Sequence, residues 1–185
     1  YYYITAFDAV ENESEASSII SVQPLNISPP VQPTYLSVLG SYIPVLNVKE
    51  MVLTWLPPDV GDLKEYLIYR GLTSDFEIID NNFLSATPIA TYRDSNVEFN
   101  VEYYYKIIAV DKGNKKSLPS TSDSDLVLQS PEMISPVSQT IFTSPYLFEW
   151  RAVNNAVAYK IFVGKAPFFD VVWSSEKTIK LEYLY

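Results

Sequence analysis

The side chains that could do chemistry in this chain are its carboxylates, because the sequence contains no histidine and no cysteine. Acids gather in two turn-like stretches, PPDVGDLKE at 57–65 and SDFEIIDNN at 74–82. Calcium takes about six to eight oxygen ligands at ordered spacings, and glycoside cleavage needs two carboxyl groups across a cleft. Neither stretch has the EF-hand spacing and nothing places two acids across a cleft, so we interpret both as solvated loops.

The amino-acid inventory excludes whole classes of site. Without cysteine or histidine there is no disulfide, no zinc or iron–sulfur centre, no Cys or His nucleophile and no imidazole base. The sequence also lacks a Gly-rich phosphate loop and a serine nucleophile elbow. We therefore predict no enzymatic activity, and we predict no catalytic residue, cofactor site or metal site.

Charge and hydropathy restrict the partners. The formal net charge is −9, and a chain this acidic is repelled by phosphate backbones, which argues against nucleic acid as a partner. The longest apolar runs fall far short of the roughly 20 residues that a membrane helix needs, which argues against a membrane span.

Alternation of apolar and polar residues is the dominant pattern along the chain. In EMVLTWLPP (50–58), KEYLIYRG (64–71) and VEYYYKIIAVD (101–111), apolar side chains recur at every second position. Short runs of this kind, separated by Pro, Asn, Asp and Ser turns, predict an all-β antiparallel sandwich. The strands of its middle unit are predicted near 35–40, 48–56, 64–70, 76–80, 88–92, 100–110 and 122–129.

Two repeats relate distant parts of the chain. YYYITAFD opens the sequence and nearly recurs within 103–111 as YYYKIIAVD, at an offset of 103 residues when Asp8 is aligned with Asp111. A second repeat links the middle to the end and aligns two pairs of aromatic residues: Trp55 with Trp150, and Tyr66 with Tyr159. Repeats at about one domain length predict tandem copies of one domain.

At these residues the chain resembles the fibronectin type III family. That family has a core Trp on strand B, a Tyr on strand C, and a strand F that reads Tyr-x-aromatic-x-aliphatic-x-Ala. The middle of the chain matches all three features, through the following residues: Trp55, Tyr66, Tyr103, Tyr105, Ile107 and Ala109. The stretch AVDKGNKKSLPS (109–120) is similar to the F–G turn of bacterial members. The resemblance implies an immunoglobulin-like β-sandwich and leaves the ligand open, because this fold serves many functions.

The repeats and two proline-rich stretches predict four segments. Residues 1–23 are expected to be strands F and G of one fibronectin type III domain, followed by a Pro-rich linker at 24–33. Residues 34–130 are expected to form a complete domain, and 131–185 to form strands A to about E of a further one. The predicted fold class is therefore tandem immunoglobulin-like β-sandwiches, one complete and two partial.

Most aromatic residues at matched positions are expected to fill cores. Six positions are predicted to be buried: Trp55, Tyr66, Ile68, Tyr105, Ile107 and Ala109. The Tyr103 hydroxyl is predicted to bond nearby backbone as a tyrosine corner. Three tyrosines are predicted to face outward (Tyr3, Tyr69 and Tyr104), and Trp173, which has no counterpart in the middle unit, is the strongest candidate for an exposed aromatic. The candidate partner-contact residues are Tyr2, Ile4, Ala6 and Trp173.

Three functions fit these features. The leading hypothesis is a non-catalytic spacer, scaffold or protein–protein interaction region of a large exported protein of a bacterium, extracellular or at the cell surface. An alternative is an accessory module of a secreted polysaccharide-degrading enzyme, with carbohydrate as partner and an exposed row of aromatics as its mark. Another is a structural subunit of a filament or surface layer, with copies that contact head to tail.

The two partial units need a cover. A lone hairpin is marginal in water and cannot itself cover the apolar face of Tyr2, Ile4 and Ala6. The termini of this fold leave at opposite ends, so the two halves are not expected to complete each other within one chain. The cover is expected to be a protein partner or the remaining parts of the same polypeptide, with residues 1–185 a fragment or mature product. Strand donation between copies stays open as an alternative.

Overall fold

The computed structural model describes residues 1–22, 28–137, 145–166 and 169–185. Some predicted segments lie partly outside the described residues: residue 23 of the first segment, 24–27 of the linker, and 138–144 and 167–168 of the last unit. Besides two short 3-10 turns, Pro44–Leu46 and Asp80–Asn82, the named elements are strands: β1 Thr34–Ile43, β2 Val48–Leu56, β3 Leu63–Gly71, β4 Phe83–Thr87, β5 Thr91–Asp94, β6 Glu102–Asp111, β7 Asp123–Leu126, β8 Met133–Ser135, β9 Leu147–Trp150, β10 Phe162–Ala166, β11 Phe169–Ser174 and β12 Glu182–Leu184. Among the described residues, no helix is long and apolar enough to cross a membrane.

Strands β1 to β7 form two facing antiparallel sheets. One sheet has the order β1-β2-β5 and the other has the order β4-β3-β6-β7. This three-plus-four arrangement is the strand order of an immunoglobulin-like sandwich of the fibronectin type III kind. We call residues 34–127 the middle sandwich, and the predicted all-β sandwich fold is confirmed there.

The alternating residues of β2, β3 and β6 build the core of the middle sandwich. The six residues predicted to be buried are all buried: Trp55, Tyr66, Ile68, Tyr105, Ile107 and Ala109. The Trp55 and Tyr66 rings join the two sheets edge to face, with centroids 5.1 Å apart. The backbone N–H of Glu98 donates to the Tyr103 hydroxyl at 3.2 Å, which confirms the tyrosine corner. Sequence alternation therefore identified the interior face of each central strand.

One predicted strand is wrong. Residues 76–80 do not form a strand, and the strand at this point of the sheet is β4. Phe76 instead folds over the outer face of the β3–β6 pair and is buried there with Tyr69 and Ile108. Gly71 makes room for this loop, because a Cβ at that position would lie 2.3 Å from the Phe76 ring. Tyr69, predicted to face outward, is therefore only 6% exposed.

Residues 1–22 form an isolated hairpin, which we call the N-terminal hairpin. Antiparallel bridges join Tyr2 to Ile20 and Phe7 to Glu13. The turn contains Glu11 in the left-handed region, at φ 67°. No sheet of the described residues extends this hairpin on either side.

The described residues of 133–185 form a smaller two-layer unit, which we call the C-terminal half-sandwich. Strands β8, β9 and β12 form one sheet in the order β12-β9-β8, and β10 pairs with β11. Its core contains Phe148, Trp150 and Ile161. The five strands correspond in order to β1, β2, β3, β4 and β5 of the middle sandwich, and the described residues contain no counterpart of β6 and β7. The predicted domain boundaries stay a prediction.

Candidate interaction surfaces

The N-terminal hairpin reproduces the β6–β7 side of the middle sandwich bond by bond. The N–H of Ile4 donates to the Ser17 hydroxyl at 3.1 Å, as the N–H of Ile107 donates to the Ser120 hydroxyl at 3.0 Å. In both places the serine N–H returns a bond of 2.9 Å to the isoleucine carbonyl. The same exchange recurs one step along the strand: Ala6 with Ser14, and Ala109 with Ser117. Residues that lie 103 positions apart are therefore equivalent in their hydrogen bonds as well as in sequence.

The turns of the two hairpins also agree. Asp8 accepts the N–H of Asn12 on its carboxylate at 2.9 Å, and Asp111 accepts the N–H of Lys115 at 2.8 Å. Glu11 has a φ of 67° and Asn114, its equivalent at the same offset, a φ of 62°. In the N-terminal hairpin the Asn12 amide adds a bond to Asp8, and this bond is the first cause that lowers the pKa of the Asp8 carboxyl. These turn hydrogen bonds therefore form in the N-terminal hairpin although no sheet of the described residues pairs with it.

Burial separates the two hairpins. Tyr2 and Ile4 are 60% and 77% exposed, whereas Tyr105 and Ile107 are 0% exposed. Phe7 is exposed and its equivalent Val110 is buried. The structure therefore places three of the four candidate contact residues, Tyr2, Ile4 and Ala6, together on one uncovered strand face. This face has the residue pattern of a sandwich interior.

The N-terminal hairpin has one unpaired strand edge. In an antiparallel pair, the N–H and C=O of one residue point to the same side, and this side alternates along the strand. The backbone groups of Ile4 and Ala6 bond within the hairpin, so those of Tyr3 and Thr5 point to the other edge. No strand of the described residues pairs with that edge. In the middle sandwich, the same edge of β6 pairs with β3.

The C-terminal half-sandwich has the reciprocal edge on β10 and the residues before it. Tyr159 exchanges both backbone bonds with Thr178, and Ile161 accepts the N–H of Ser175, so these groups point towards the β11 side. The groups of Lys160 and Phe162 therefore point to the opposite edge. In the described part of the chain, β10 has β11 as its only strand partner. The edge of β3 that receives β6 in the middle sandwich is thus open here.

Trp173 is not a freely exposed aromatic. Its ring is half-buried and lies against Tyr185 and Tyr183, with centroid distances of 4.8 and 5.6 Å. It is directly opposite Val163 in the β10–β11 pair, and both side chains join the core. The prediction of exposure is wrong because a strand register that the sequence did not reveal turns the ring inward. Whether Trp173 contacts a partner stays a prediction.

Phe162 is an exposed aromatic that sequence reasoning missed. It is 60% exposed, and the Lys160 ammonium lies 5.3 Å from the ring centroid. It aligns with Tyr69 of the middle sandwich, which is covered by the loop that carries Phe76. The structure explains the difference, because the loop between β3 and β4 spans 72–82, whereas β10 ends at Ala166 and β11 begins at Phe169.

The most concentrated polar chemistry of the middle sandwich is structural. Arg70 pairs with Asp94 at 2.6 Å, and the buried Tyr105 hydroxyl donates to the same carboxylate at 2.9 Å. Burial, reinforced by the Asp94 charge, raises the pKa of Tyr105. Burial alone would lower the pKa of Arg70, but Asp94 raises it overall. The cluster ties β3, β5 and β6 together, and it keeps the Tyr105 hydroxyl neutral and the Arg70 guanidinium charged.

The other predicted chemistry does not assemble into a site. Among the described residues, no three acidic side chains lie close enough together to hold a metal ion. Within residues 28–130, the exposed aromatic side chains are Tyr35 and Phe83, which lie on different sheets. Tyr104 is half-buried, and Tyr3 is exposed on the N-terminal hairpin. A row of aromatics for stacking on sugars is therefore not formed by this part of the chain.

No family model matches the chain, and no curated protein matches it. Solved structures are similar over about half of it. An Fn3-like protein from Clostridium thermocellum matches 52% of this chain and 92% of its own, at 23% identity and a TM-score of 0.42. The sixth fibronectin type III domain of human fibronectin type III domain containing protein 3 matches 56% and 90%, at 15% identity and a TM-score of 0.41.

A beta-1,2-glucanase from Parabacteroides distasonis is similar over 56% of this chain, at 22% identity and a TM-score of 0.40, but over only 14% of the glucanase.

The fold of the middle sandwich is assigned from its strand order and its core contacts. With sheets β1-β2-β5 and β4-β3-β6-β7, a Trp55–Tyr66 contact across them and a Tyr103 corner, the middle sandwich has the fibronectin type III fold.

Proposed function

We propose that this chain is a non-catalytic structural region of a larger extracellular or cell-surface assembly, and that further protein packs against both of its open ends. The middle sandwich acts as a spacer between them. One observation carries the proposal: the N-terminal hairpin keeps the hydrogen bonds of its buried equivalent yet exposes the face that the equivalent buries.

The exposed face favours a protein cover for energetic reasons. A two-stranded hairpin is marginal in water on its own, and an unpaired strand edge beside apolar side chains is a template for another strand. Exposed apolar patches of this kind mark protein contacts. Tyr2 and Ile4 are large side chains that both lose water contact if the face is covered.

A second function is favoured by a separate observation. The open edge of the N-terminal hairpin is equivalent to the edge of β6 that pairs with β3, and the open edge of β10 is equivalent to the edge of β3 that pairs with β6. Copies of a filament or surface-layer subunit need two such reciprocal surfaces to contact head to tail. For the polysaccharide-enzyme alternative we find no comparable support in the described residues.

Hydrogen exchange on the intact assembly tests the proposal. Amides of residues 1–8 and the edge amides of Lys160 and Phe162 are expected to exchange quickly in the dilute 1–185 chain and slowly in the assembly. The β6 amides, protected in both samples, are the internal control. Equal and rapid exchange of both end segments in the assembly would contradict the proposal.

A separate assay tests the absence of catalysis. The purified chain is expected to release no product from glycan or peptide substrates. Hydrolysis that is lost when one acid, such as Asp62 or Asp80, is replaced by Asn would show that the chain is an enzyme.

A further inference from the structure

The two open edges of this molecule match each other residue by residue. In the middle sandwich, β6 pairs antiparallel with β3, with Ile107 opposite Ile68 and Ala109 opposite Tyr66. The N-terminal hairpin supplies the equivalents of β6, and the C-terminal half-sandwich supplies the equivalents of β3. Each unit lacks, among the described residues, what the other one has.

We propose that the N-terminal hairpin of one copy adds to the β10 edge of a second copy and completes its sandwich. This inference rests on the proposed function, in which both ends are protein contacts, and it names the partner as a second copy of this chain. The strand pair is antiparallel, as in β3–β6. Transferring that register by the two repeats places these residues opposite each other: Ala6 with Tyr159, Thr5 with Lys160, Ile4 with Ile161, Tyr3 with Phe162 and Tyr2 with Val163.

The backbone groups of the two edges have the alternation that this register needs. Thr5 and Tyr3 point to the open edge of the hairpin, and Lys160 and Phe162 point to the open edge of β10, as derived above from the bonds their neighbours make. The pairs Thr5–Lys160 and Tyr3–Phe162 are then the hydrogen-bonded pairs. A shift by one residue would set open groups against groups that already have partners, so the bonding pattern excludes odd shifts, and the two repeats select this register among the others.

The side chains of this register complete an apolar core. Tyr2, Ile4 and Ala6 would enter the position that Tyr105, Ile107 and Ala109 occupy in the middle sandwich. The receiving core already contains Trp150 and Ile161, the equivalents of Trp55 and Ile68. On the outer face, Tyr3 would lie beside Phe162, so that two exposed aromatic rings meet across the new strand pair.

The charges of the two surfaces favour this pairing over hairpin self-association. The N-terminal hairpin has four acids and no base, a charge of −4: Asp8, Glu11, Glu13 and Glu15. Residues 145–185 have five bases (Arg151, Lys160, Lys165, Lys177, Lys180) and four acids (Glu149, Asp170, Glu176, Glu182), a charge of +1. Two hairpins would repel each other, whereas a hairpin and a half-sandwich attract weakly. Because donor and acceptor lie on different surfaces, repeated addition produces an open head-to-tail series of copies.

Disulfide trapping tests the register, since the chain contains no cysteine of its own. Chains with Tyr3→Cys are mixed with chains with Phe162→Cys under mild oxidation. Both positions are exposed, so the substitutions are not expected to disturb the separate chains. A hydrogen-bonded antiparallel pair has a Cα separation of about 5.5 Å, within the range that a disulfide spans. We expect rapid formation of a crosslinked heterodimer.

The matched control replaces Phe162→Cys by Val172→Cys. Val172 is 58% exposed, against 60% for Phe162, but it lies on β11, one strand further from the added hairpin. Two strand spacings are about 10 Å, beyond the reach of a disulfide. Adding Thr5→Pro to the Tyr3→Cys chain removes an edge N–H and is expected to prevent crosslinking, whereas Thr5→Ala is expected to preserve it. Equal crosslinking in the β11 control, or none in the Phe162→Cys mixture, overturns the proposal.

Sedimentation of the unmodified chain distinguishes this inference from the proposed function. Association that increases with concentration, and that Thr5→Pro abolishes, is the expected result. A chain that stays monomeric at every concentration overturns the second-copy inference. If residues 1–8 are nevertheless protected in the intact assembly, the cover is another segment or another protein and the proposed function survives. If they are unprotected there too, both fail.

Discussion

Ile4 and Ile107 lie at equivalent points of two hairpins that share their backbone bonds, their serine bonds and their turn, and one is mostly exposed while the other is fully buried. The two hairpins separate two contributions to hairpin formation, local hydrogen bonds and the burial of an apolar face. Local sequence, through serine hydroxyls and an Asx-type turn, is sufficient to set the shape of the hairpin. The free energy that keeps such a hairpin folded comes from burial of its apolar face. Only the hairpin that contains Ile107, in the middle sandwich, has that face covered.

The hairpin that contains Ile107 is covered by the opposite sheet of the middle sandwich, β1-β2-β5. Met51, Leu53 and Trp55 on β2 lie across the core from Tyr105 and Ile107. The N-terminal hairpin has the same need without such a sheet among the described residues. This difference is the observation behind the proposal that residues 1–22 form one side of an interface.

The largest expected effect comes from removing part of that cover. Trp55→Ala leaves a cavity between the sheets, and we expect the middle sandwich to lose about 3–5 kcal/mol of unfolding free energy. Native-state hydrogen exchange of the β6 amides measures the loss, and amides of the N-terminal hairpin serve as the unaffected control. Unchanged exchange in β6 would show that Trp55 is not part of this core.

The same substitution at the two equivalent isoleucines sharpens the comparison most. Ile107→Ala removes buried methyl groups and is expected to cost about 2–5 kcal/mol. Ile4→Ala removes exposed ones and is expected to change the unfolding free energy of the isolated chain by less than about 0.5 kcal/mol. Denaturant titration of the dilute chain, followed in each segment by exchange, measures both. Similar costs at the two positions would mean that the N-terminal hairpin is already covered.

The serine pair gives a smaller difference. Ser120→Ala leaves the N–H of Ile107 buried without its acceptor, at a cost of about 1–3 kcal/mol. Ser17→Ala frees the N–H of Ile4, which water can reach, so little change is expected. The exchange rates of the two isoleucine amides report the difference. A larger effect at Ser17 than at Ser120 would reverse the assignment of burial.

The smallest expected effect concerns the turn of the exposed hairpin. Donation by the Asn12 side chain, then by the N–H groups of Asn12 and Val10, lowers the pKa of Asp8. A lowered pKa in the folded state means that the turn is stabilised above the ordinary carboxyl pKa of about 4 and loses this support as the pH falls through the lowered value. NMR titration of Asn12→Ala is expected to show the Asp8 pKa closer to its ordinary value. An unchanged pKa would show that the amide bond is not formed in solution.

The sequence predicted the central strands well because their faces alternate. Alternation, together with the resemblance to fibronectin type III domains, assigned Trp55, Tyr66 and Ile107 to the core. The repeat at an offset of 103 identified the N-terminal hairpin. The fold of residues 34–127 follows from those patterns, whereas a partner contact by Tyr2, Ile4 and Ala6 stays a prediction.

The errors have a common physical cause. A strand is predicted at 76–80, but Phe76 packs across the outer face of the sheet and so buries Tyr69 as well. Trp173 was expected outside because its strand register could not be known from one sequence, and its pairing with Val163 turns the ring inward. Periodicity identifies the two faces of a strand, but it does not show what other parts of the chain cover them.

Hydrogen exchange at Ile4 and Ile107 in one sample tests the central claim most directly. The two amides have the same donor geometry, at 3.1 and 3.0 Å from a serine hydroxyl, and differ in cover. In the dilute chain we expect Ile107 to exchange only through global opening of the middle sandwich and Ile4 to exchange orders of magnitude faster. On assembly, Ile4 is expected to slow towards the rate of Ile107. Slow exchange of Ile4 in the dilute chain, or rapid exchange after assembly, would contradict the claim that this hairpin depends on other protein for its cover.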